Sequence, residues 1–344
     1  MVRVKSLKQL GEFGLIKRIR SKVGTHLPRI KKGIGDDCAV FSTSPNTIQL
    51  TSTDALIESI HFDLKTISPK QLGHKAMAVN ISDIAAMGGN PYLAIISLGL
   101  PSSTPIGFVD KLYSGLQKIC RFYKIALAGG DTVASPKHLF INICMLGEAN
   151  KNRVFYRTGA RPGDLIFVTG HLGDSAMGLR ILMKKNKNFV SSKNRKLLVK
   201  KHLEPTPRVK EARLLAKSQL KVTSMIDVSD GLAQDLSHLC QKDKLGAKLY
   251  EDRLPISNAL HSVCSQNKDN PNMWAVQGGE DYELLFTIRP EDVKNLKRLF
   301  LKADTFISHI GDITSSPKRI MLTKRDGSRV SLKPSTGFNH FRQK

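Results

Sequence analysis

Ten of the 29 acidic residues in this 344-residue chain fall into six short clusters, on a background of 54 lysines and arginines. They are Asp36 with Asp37, Asp54, Asp83, Asp131, Asp227 with Asp230, and Glu280 with Asp281 and Glu283. This arrangement restricts the fold more than any other feature. Carboxylates gathered together repel unless a cation lies among them. Most clusters also end an apolar run: residues 48–54 alternate like a strand and finish at Asp54, and 222–227 finish at Asp227. Strand ends and the loops beyond them are where sites are built. The pattern predicts an α+β chain with its chemistry at strand exits.

The rest of the sequence fills in around those points. A length of 344 residues corresponds to about two domains at roughly 150 residues each, and Asn150-Lys151-Asn152 marks a boundary that divides 1–149 from 150–344. In the first half, Ser68-Pro69 opens a helix that runs to about Met87 and stops at Gly88-Gly89. A second helix is expected over 106–124, with strands at 93–100, 125–128 (ending in Gly129-Gly130-Asp131) and 139–146. In the second half the expectations are a strand at 165–169, a helix at 173–185 and a basic connection over 186–202. A helix from Thr206-Pro207, a strand at 222–227 and a helix after Gly231 follow. Further strands are expected near 246–250, 273–277 and 283–288, with a late hairpin at Asp326-Gly327.

The net charge of +25 is unevenly placed. Residues 1–32 carry ten lysines and arginines against Glu12 alone, and 181–221 carry thirteen against Glu204 and Glu211. Such an excess favours phosphate-rich partners in general, but no aromatic-interleaved basic stretch accompanies it, so a solvated lysine-rich surface is the simpler account. No apolar run reaches the ~20 residues of a membrane span. The basic N-terminus lacks an apolar signal core, and five cysteines without CxxC spacing argue against a disulfide framework. A reducing cytoplasm is the expected setting.

Chemistry follows from the clusters. In Gly33-Ile34-Gly35-Asp36-Asp37 the glycines allow a tight turn while two carboxylates face one space, and hard oxygen donors of this kind suit Mg²⁺. Ser52-Thr53-Asp54 adds hydroxyls to a carboxylate. Asp83 is an acid on an otherwise apolar helix face, shared with Asn80 and Met87. Several divalent ions together suggest a nucleotide polyphosphate. There is no GxxxxGK[ST] loop and no GxGxxG after a strand, so phosphates are expected to be held through metal bridges.

These residues resemble a known family. GIGDDCA (33–39), STDALIESIH (52–61), KAMAVNISDIAAMG (75–88), AGGDT (128–132), RTGARPGD (157–164), VTGHLGDSAMG (168–178), IDVSDGL (226–232) and GGEDYEL (278–284) follow the order seen in the thiamine-monophosphate kinases, within the aminoimidazole ribonucleotide synthetase-like superfamily. The resemblance implies a two-domain α+β fold. Residues 1–149 would form an ATP- and Mg-binding domain whose sheet makes a homodimer, and 150–344 an α+β domain completing the site. It implies transfer of the γ-phosphate of ATP to thiamine monophosphate. Metal ligation would fall to Asp37, Ser52, Thr53, Asp54, Asp83, Asp131, Asp227 and Asp230, with Asp54, Asp131 and Asp230 carrying catalysis. ATP contacts would come from Gly130, Asp131, Arg157 and Ser229, and thiamine contacts from His61, Glu280 and Phe338. Ala55, Ser59 and Gln277 depart from the family's usual Thr, Gly and Ser. Another ATP-dependent enzyme of the superfamily and a basic nucleic-acid-binding protein are the alternatives.

Overall fold

A computed structural model of the chain describes residues 12, 14–18, 30–184, 190–241, 245–316 and 319–333. Two mixed sheets organise them. The first has the order β1-β2-β3-β6-β4-β5, built from Ile30–Lys32, Ala39–Ser42, Thr47–Ile57, Phe140–Asn150, Asn90–Leu100 and Ala126–Ala134. Its strands pair antiparallel except β4 with β5. The second, β13-β12-β9-β11-β7-β10-β8, contains Leu165–Thr169 (β7), Val222–Asp227 (β8), Gly246–Tyr250 (β9), Leu284–Ile288 (β10), Ile307–Thr314 (β11), Ile320–Thr323 (β12) and Arg329–Leu332 (β13).

Helix α1, Pro69–Ala86, explains how the two sheets meet. Ser68 caps it: its hydroxyl accepts from Gln71 N–H, the Gln71 side chain accepts from Ser68 N–H, and Pro69 occupies the first turn. Both orphan donors are thereby satisfied. From Leu72 to Ala86 nearly every side chain is buried, because the helix lies between the first sheet and the second domain; a helix apolar all round has no solvent face. It crosses α2 (Ile106–Tyr123) at glycines. A Cβ on Gly73 would stand 2.2 Å from the Leu112 carbonyl, and one on Gly115 2.0 Å from the Lys70 carbonyl.

The second sheet is buried on both faces, and strand alternation divides them. Phe167, Met225, Leu284, Phe286 and Ile288 join one continuous core with Leu50, Leu72, Ile81, Ile141 and Met145 of the first domain. Ile166, Val168, Ile226, Leu285 and Ile310 face a separate core under helix α6 (Leu232–Gln241). The domains are therefore fused through apolar packing, and among the described residues the first sheet is covered on only one of its faces. On the other, Ile95 and Val133 are exposed.

Several expectations need correction. Residues 271–277 form a helix, not a strand, because Asn270 caps it and Pro271 sits in its first turn. The basic connection expected over 186–202 contains helix α4, Ser192–Leu203, capped by Ser191. The strand expected to stop at 128 continues through the glycines to Ala134, placing Asp131 within β5 instead of at its exit. Helices Asn258–Asn267 and Val293–Lys302 and strand β11 were not anticipated at all.

Candidate active site

The loop before β2, strand β3, helix α1 and the end of β8 bring carboxylates from both domains together. Asp37, Asp83 and Asp227 each offer an oxygen within 4.8 Å of the others. Position along each element accounts for this. Ser52 and Asp54 alternate with Thr53 on β3; the Ser52 hydroxyl donates to Asp83, and Asp54 N–H donates to Asn80 Oδ1 over 3.0 Å. Asp227 ends its strand and accepts from the Ser82 hydroxyl over 2.6 Å. Asn80, Ser82 and Asp83 thus line one stretch of α1 against residues from β3 and β8.

The charges in this well are poorly compensated. Burial pushes the Asp83 carboxyl well up, and Asp54, Asp227 and Asp37 push it further. Asp227 is raised to about 7 by burial first and then by Asp37. Asp230 is raised to about 6, again chiefly by burial. Arg157 brings a guanidinium to the well, donating from Nε to Asp37 Oδ2 over 3.0 Å and from Nη2 to Asp37 Oδ1 over 2.7 Å. Its backbone N–H reaches Asp36 Oδ1 at 3.1 Å. A fork of this kind fits one carboxylate. The remaining acids form an oxygen-only donor set suited to divalent cations, and Mg²⁺ fits them.

The other anticipated residues divide. Ser229 lies beside Asp230, and its carbonyl accepts from Glu280 N–H over 2.7 Å, joining the Ser-Asp-Gly turn to the Gly-Gly-Glu segment. His61 Nδ1 accepts from Ile57 N–H over 3.0 Å. Thr53, in contrast, is exposed on the opposite strand face, its hydroxyl bonded to Asn142 Oδ1 at 3.1 Å. Asp131 is exposed on edge strand β5, opposite Ser97, and stands outside the three-carboxylate group. Neighbouring Gly130 cannot be replaced freely: a Cβ there would meet the Ile96 carbonyl at 1.9 Å. Phe338 lies outside the described residues.

Three further groups escaped the sequence reading. Asp235, one turn into α6, accepts from the N–H groups of Asp230 and Gly231 at 3.2 and 3.0 Å and so shapes that turn. Lys75 and His202 both contact Glu280, at 2.8 and 3.2 Å. The available signal was a lysine on an otherwise apolar helix, eight residues before Asp83.

Known proteins share this architecture. Residues 35–149 match the family model described as AIR synthase related protein, N-terminal domain, and 161–323 match its C-terminal counterpart. A thiamine-monophosphate kinase of Bacillus subtilis is 34% identical over 97% of this chain and 100% of its own length. One from Buchnera aphidicola of Acyrthosiphon pisum is 42% identical over 90% of this chain and 92% of its own. Among solved structures, AaThiL complexed with AMPPCP and TMP superposes with a TM-score of 0.83 at 34% identity, covering 98% of this chain and 99% of that one.

Proposed function

The chain belongs to the thiamine-monophosphate kinase family, and we propose on that footing that it transfers the γ-phosphate of ATP to thiamine monophosphate, yielding thiamine diphosphate and ADP. The observation that carries this reading is the carboxylate well shared by both domains: Asp37 and Asp83 from one, Asp227 from the other.

The reaction asks little of the protein in covalent chemistry. An oxygen of the thiamine monophosphate phosphate attacks Pγ in line, the bond from Pγ to the β,γ-bridging oxygen breaks, and ADP leaves with that electron pair. The attacking oxygen is already anionic, so catalysis rests on alignment and charge neutralisation. Asp37, Asp83 and Asp227, with Ser52, Asp54 and Asp230 at their margin, would hold Mg²⁺, and Asp131 and Thr53 are further ligands on the family pattern. Bound Mg²⁺ would offset charge on the polyphosphate and favour the developing transition state. Arg157, fixed by Asp37, places a guanidinium beside the same space. On the family pattern Gly130 and Ser229 serve as ATP contacts, and His61, Glu280 and Phe338 as contacts to thiamine monophosphate.

We take residues 1–149 as the nucleotide and dimerisation domain and 150–344 as the domain that completes the site. Among the described residues Ile95 and Val133 stand exposed on one face of the first sheet, which supports a homodimer built there. Five cysteines without disulfides fit a cytoplasmic enzyme, and no helix among the described residues is long and apolar enough to cross a membrane.

Incubation with thiamine monophosphate, ATP and MgCl₂ should yield thiamine diphosphate, followed by chromatography, and EDTA should abolish it. ATP turnover that is indifferent to thiamine monophosphate, or product formed equally in EDTA, would refute the proposal.

A further inference from the structure

Lys75 is wholly buried on α1, yet it does not belong to the carboxylate well. Its Nζ lies 2.8 Å from Glu280 Oε1 and 3.5 Å from His202 Nε2. His202, near the C-terminus of α4, places Nδ1 3.2 Å from Glu280 Oε2 and 3.2 Å from the Ser175 hydroxyl. An ammonium only donates, so the ring nitrogen facing it must carry a lone pair. The ring proton then sits on Nδ1, on the side of Glu280. Each carboxylate oxygen of Glu280 therefore faces a nitrogen, Lys75 Nζ from the first domain and His202 Nδ1, which the Ser175 hydroxyl also contacts, from the second.

The surroundings agree with that tautomer. Burial, with Lys75 next, takes His202 down to about 4, so the ring is neutral at physiological pH. Burial pushes Glu280 up, but the Lys75 ammonium, which pairs with it and donates to it, leads the groups that outweigh burial and leave its carboxyl below the usual value. Glu280 is also held in the left-handed backbone region, φ 62°, a conformation that persists in a non-glycine residue only when its surroundings enforce it. Lys75 and His202 side chains are 1% and 6% exposed, whereas that of Glu280 is 30% exposed. The two buried groups thus hold a third that opens outward. For fold stability alone, a well-packed apolar residue would serve as well as a buried ion pair.

We propose that Lys75 and His202 are positioning residues for substrate recognition: they clamp the two oxygens of Glu280 so that it meets the substrate as an aimed, charge-balanced hydrogen-bond acceptor and not as a bare counter-ion to the cationic ring. This rests on the reading of Glu280 as a thiamine-monophosphate contact. It also means that Glu280 reaches its working position only when α1 of the first domain is docked on the second.

The test is a set of steady-state measurements on the full chain with Lys75→Met, Glu280→Gln, the double variant, His202→Leu and His202→Asn, each with a melting curve. Glu280→Gln and Lys75→Met should each raise KM for thiamine monophosphate about tenfold, the scale of a lost charge-assisted hydrogen bond, while KM for ATP holds. The double variant should be no worse than Glu280→Gln alone, since Lys75 then has nothing to aim. His202→Leu should raise the same KM several-fold, and His202→Asn, whose amide N–H stands where Nδ1–H was, should restore it. Should Lys75→Met fail to fold, the His202 pair still decides. Independent, multiplying effects of Lys75→Met and Glu280→Gln would overturn the clamp, as would His202 variants with wild-type KM beside an impaired Glu280→Gln. A wild-type KM in Glu280→Gln would remove Glu280 from the substrate and the clamp with it, whereas the kinase reading itself stands or falls on wild-type turnover.

Discussion

At the scale of single residues, the site divides into groups that hold charge and groups that hold the substrate, and substitutions should separate them. His61 spends Nδ1 on the Ile57 N–H, which leaves Nε2 as its protonated nitrogen. His61→Asn should then raise KM for thiamine monophosphate several-fold with little change in kcat, since one neutral hydrogen bond contributes about 1 kcal/mol. Asp83→Asn should lower kcat by orders of magnitude, because a cation ligand acts on the transition state. The same variant supplies a check that does not depend on turnover. Mg²⁺ should raise the melting temperature of the wild-type protein by several degrees over EDTA, by mass action on the folded state, and that rise should largely vanish in Asp83→Asn. The carboxylates of the well were legible in the sequence because acids cluster visibly on a cationic chain. Lys75, His202 and Asp235 were not, because each is a single residue whose meaning lies in a partner distant in sequence or in a local turn. Nothing in the neighbourhood of Lys75 announces a glutamate 205 positions away.

Among the elements, local chemistry that terminates a helix was read correctly and chemistry that begins one was sometimes missed. Ser68-Pro69 and Gly88-Gly89 bracket α1 as expected. The short apolar run at 273–277 looked like a strand because period cannot assign so few residues; Asn270-Pro271 was the deciding signal. In β5 the opposite error arose. Gly129-Gly130 read as a stop, yet the strand carries on because Gly130 lets its backbone close on the Ile96 carbonyl of β4. The crossing of α1 and α2 offers a clean stability test. Gly73→Ala would force a Cβ to 2.2 Å from the Leu112 carbonyl and should destabilise the protein by roughly 1–3 kcal/mol in denaturant titrations, the usual range for overpacking. Gly107→Ala, in α2 but with nothing within 4 Å of the new Cβ, should be neutral or stabilising by up to about 1 kcal/mol. Equal losses in both would show that the close crossing carries no weight.

At the scale of the whole molecule, the described residues cover one sheet on both faces and the other on one. Light scattering at micromolar concentration should find about 76 kDa, twice the 38.1 kDa chain, and Ile95→Lys with Val133→Lys should shift the population toward monomer. A wild-type monomer would mean that the open face has another use. Two domains were legible from length, but their fusion into a single core was not, since periodicity shows that a face is apolar without naming what it packs against.

That fusion bears on which parts of the chain can drift. Arg153 reaches across to the carbonyls of Leu215, Ala216 and Leu220, His74 to that of Pro205, and Tyr123 to that of Pro207. None of these residues lies among the carboxylates, yet together they fix the angle at which Asp227 is presented to Asp37 and Asp83. A tilt of one domain against the other would change the spacing of these three carboxylates. Tolerance to substitution should therefore follow the seam and not distance from the phosphates: a surface lysine on α4 is free to vary, whereas a tyrosine hydroxyl remote from the chemistry is not.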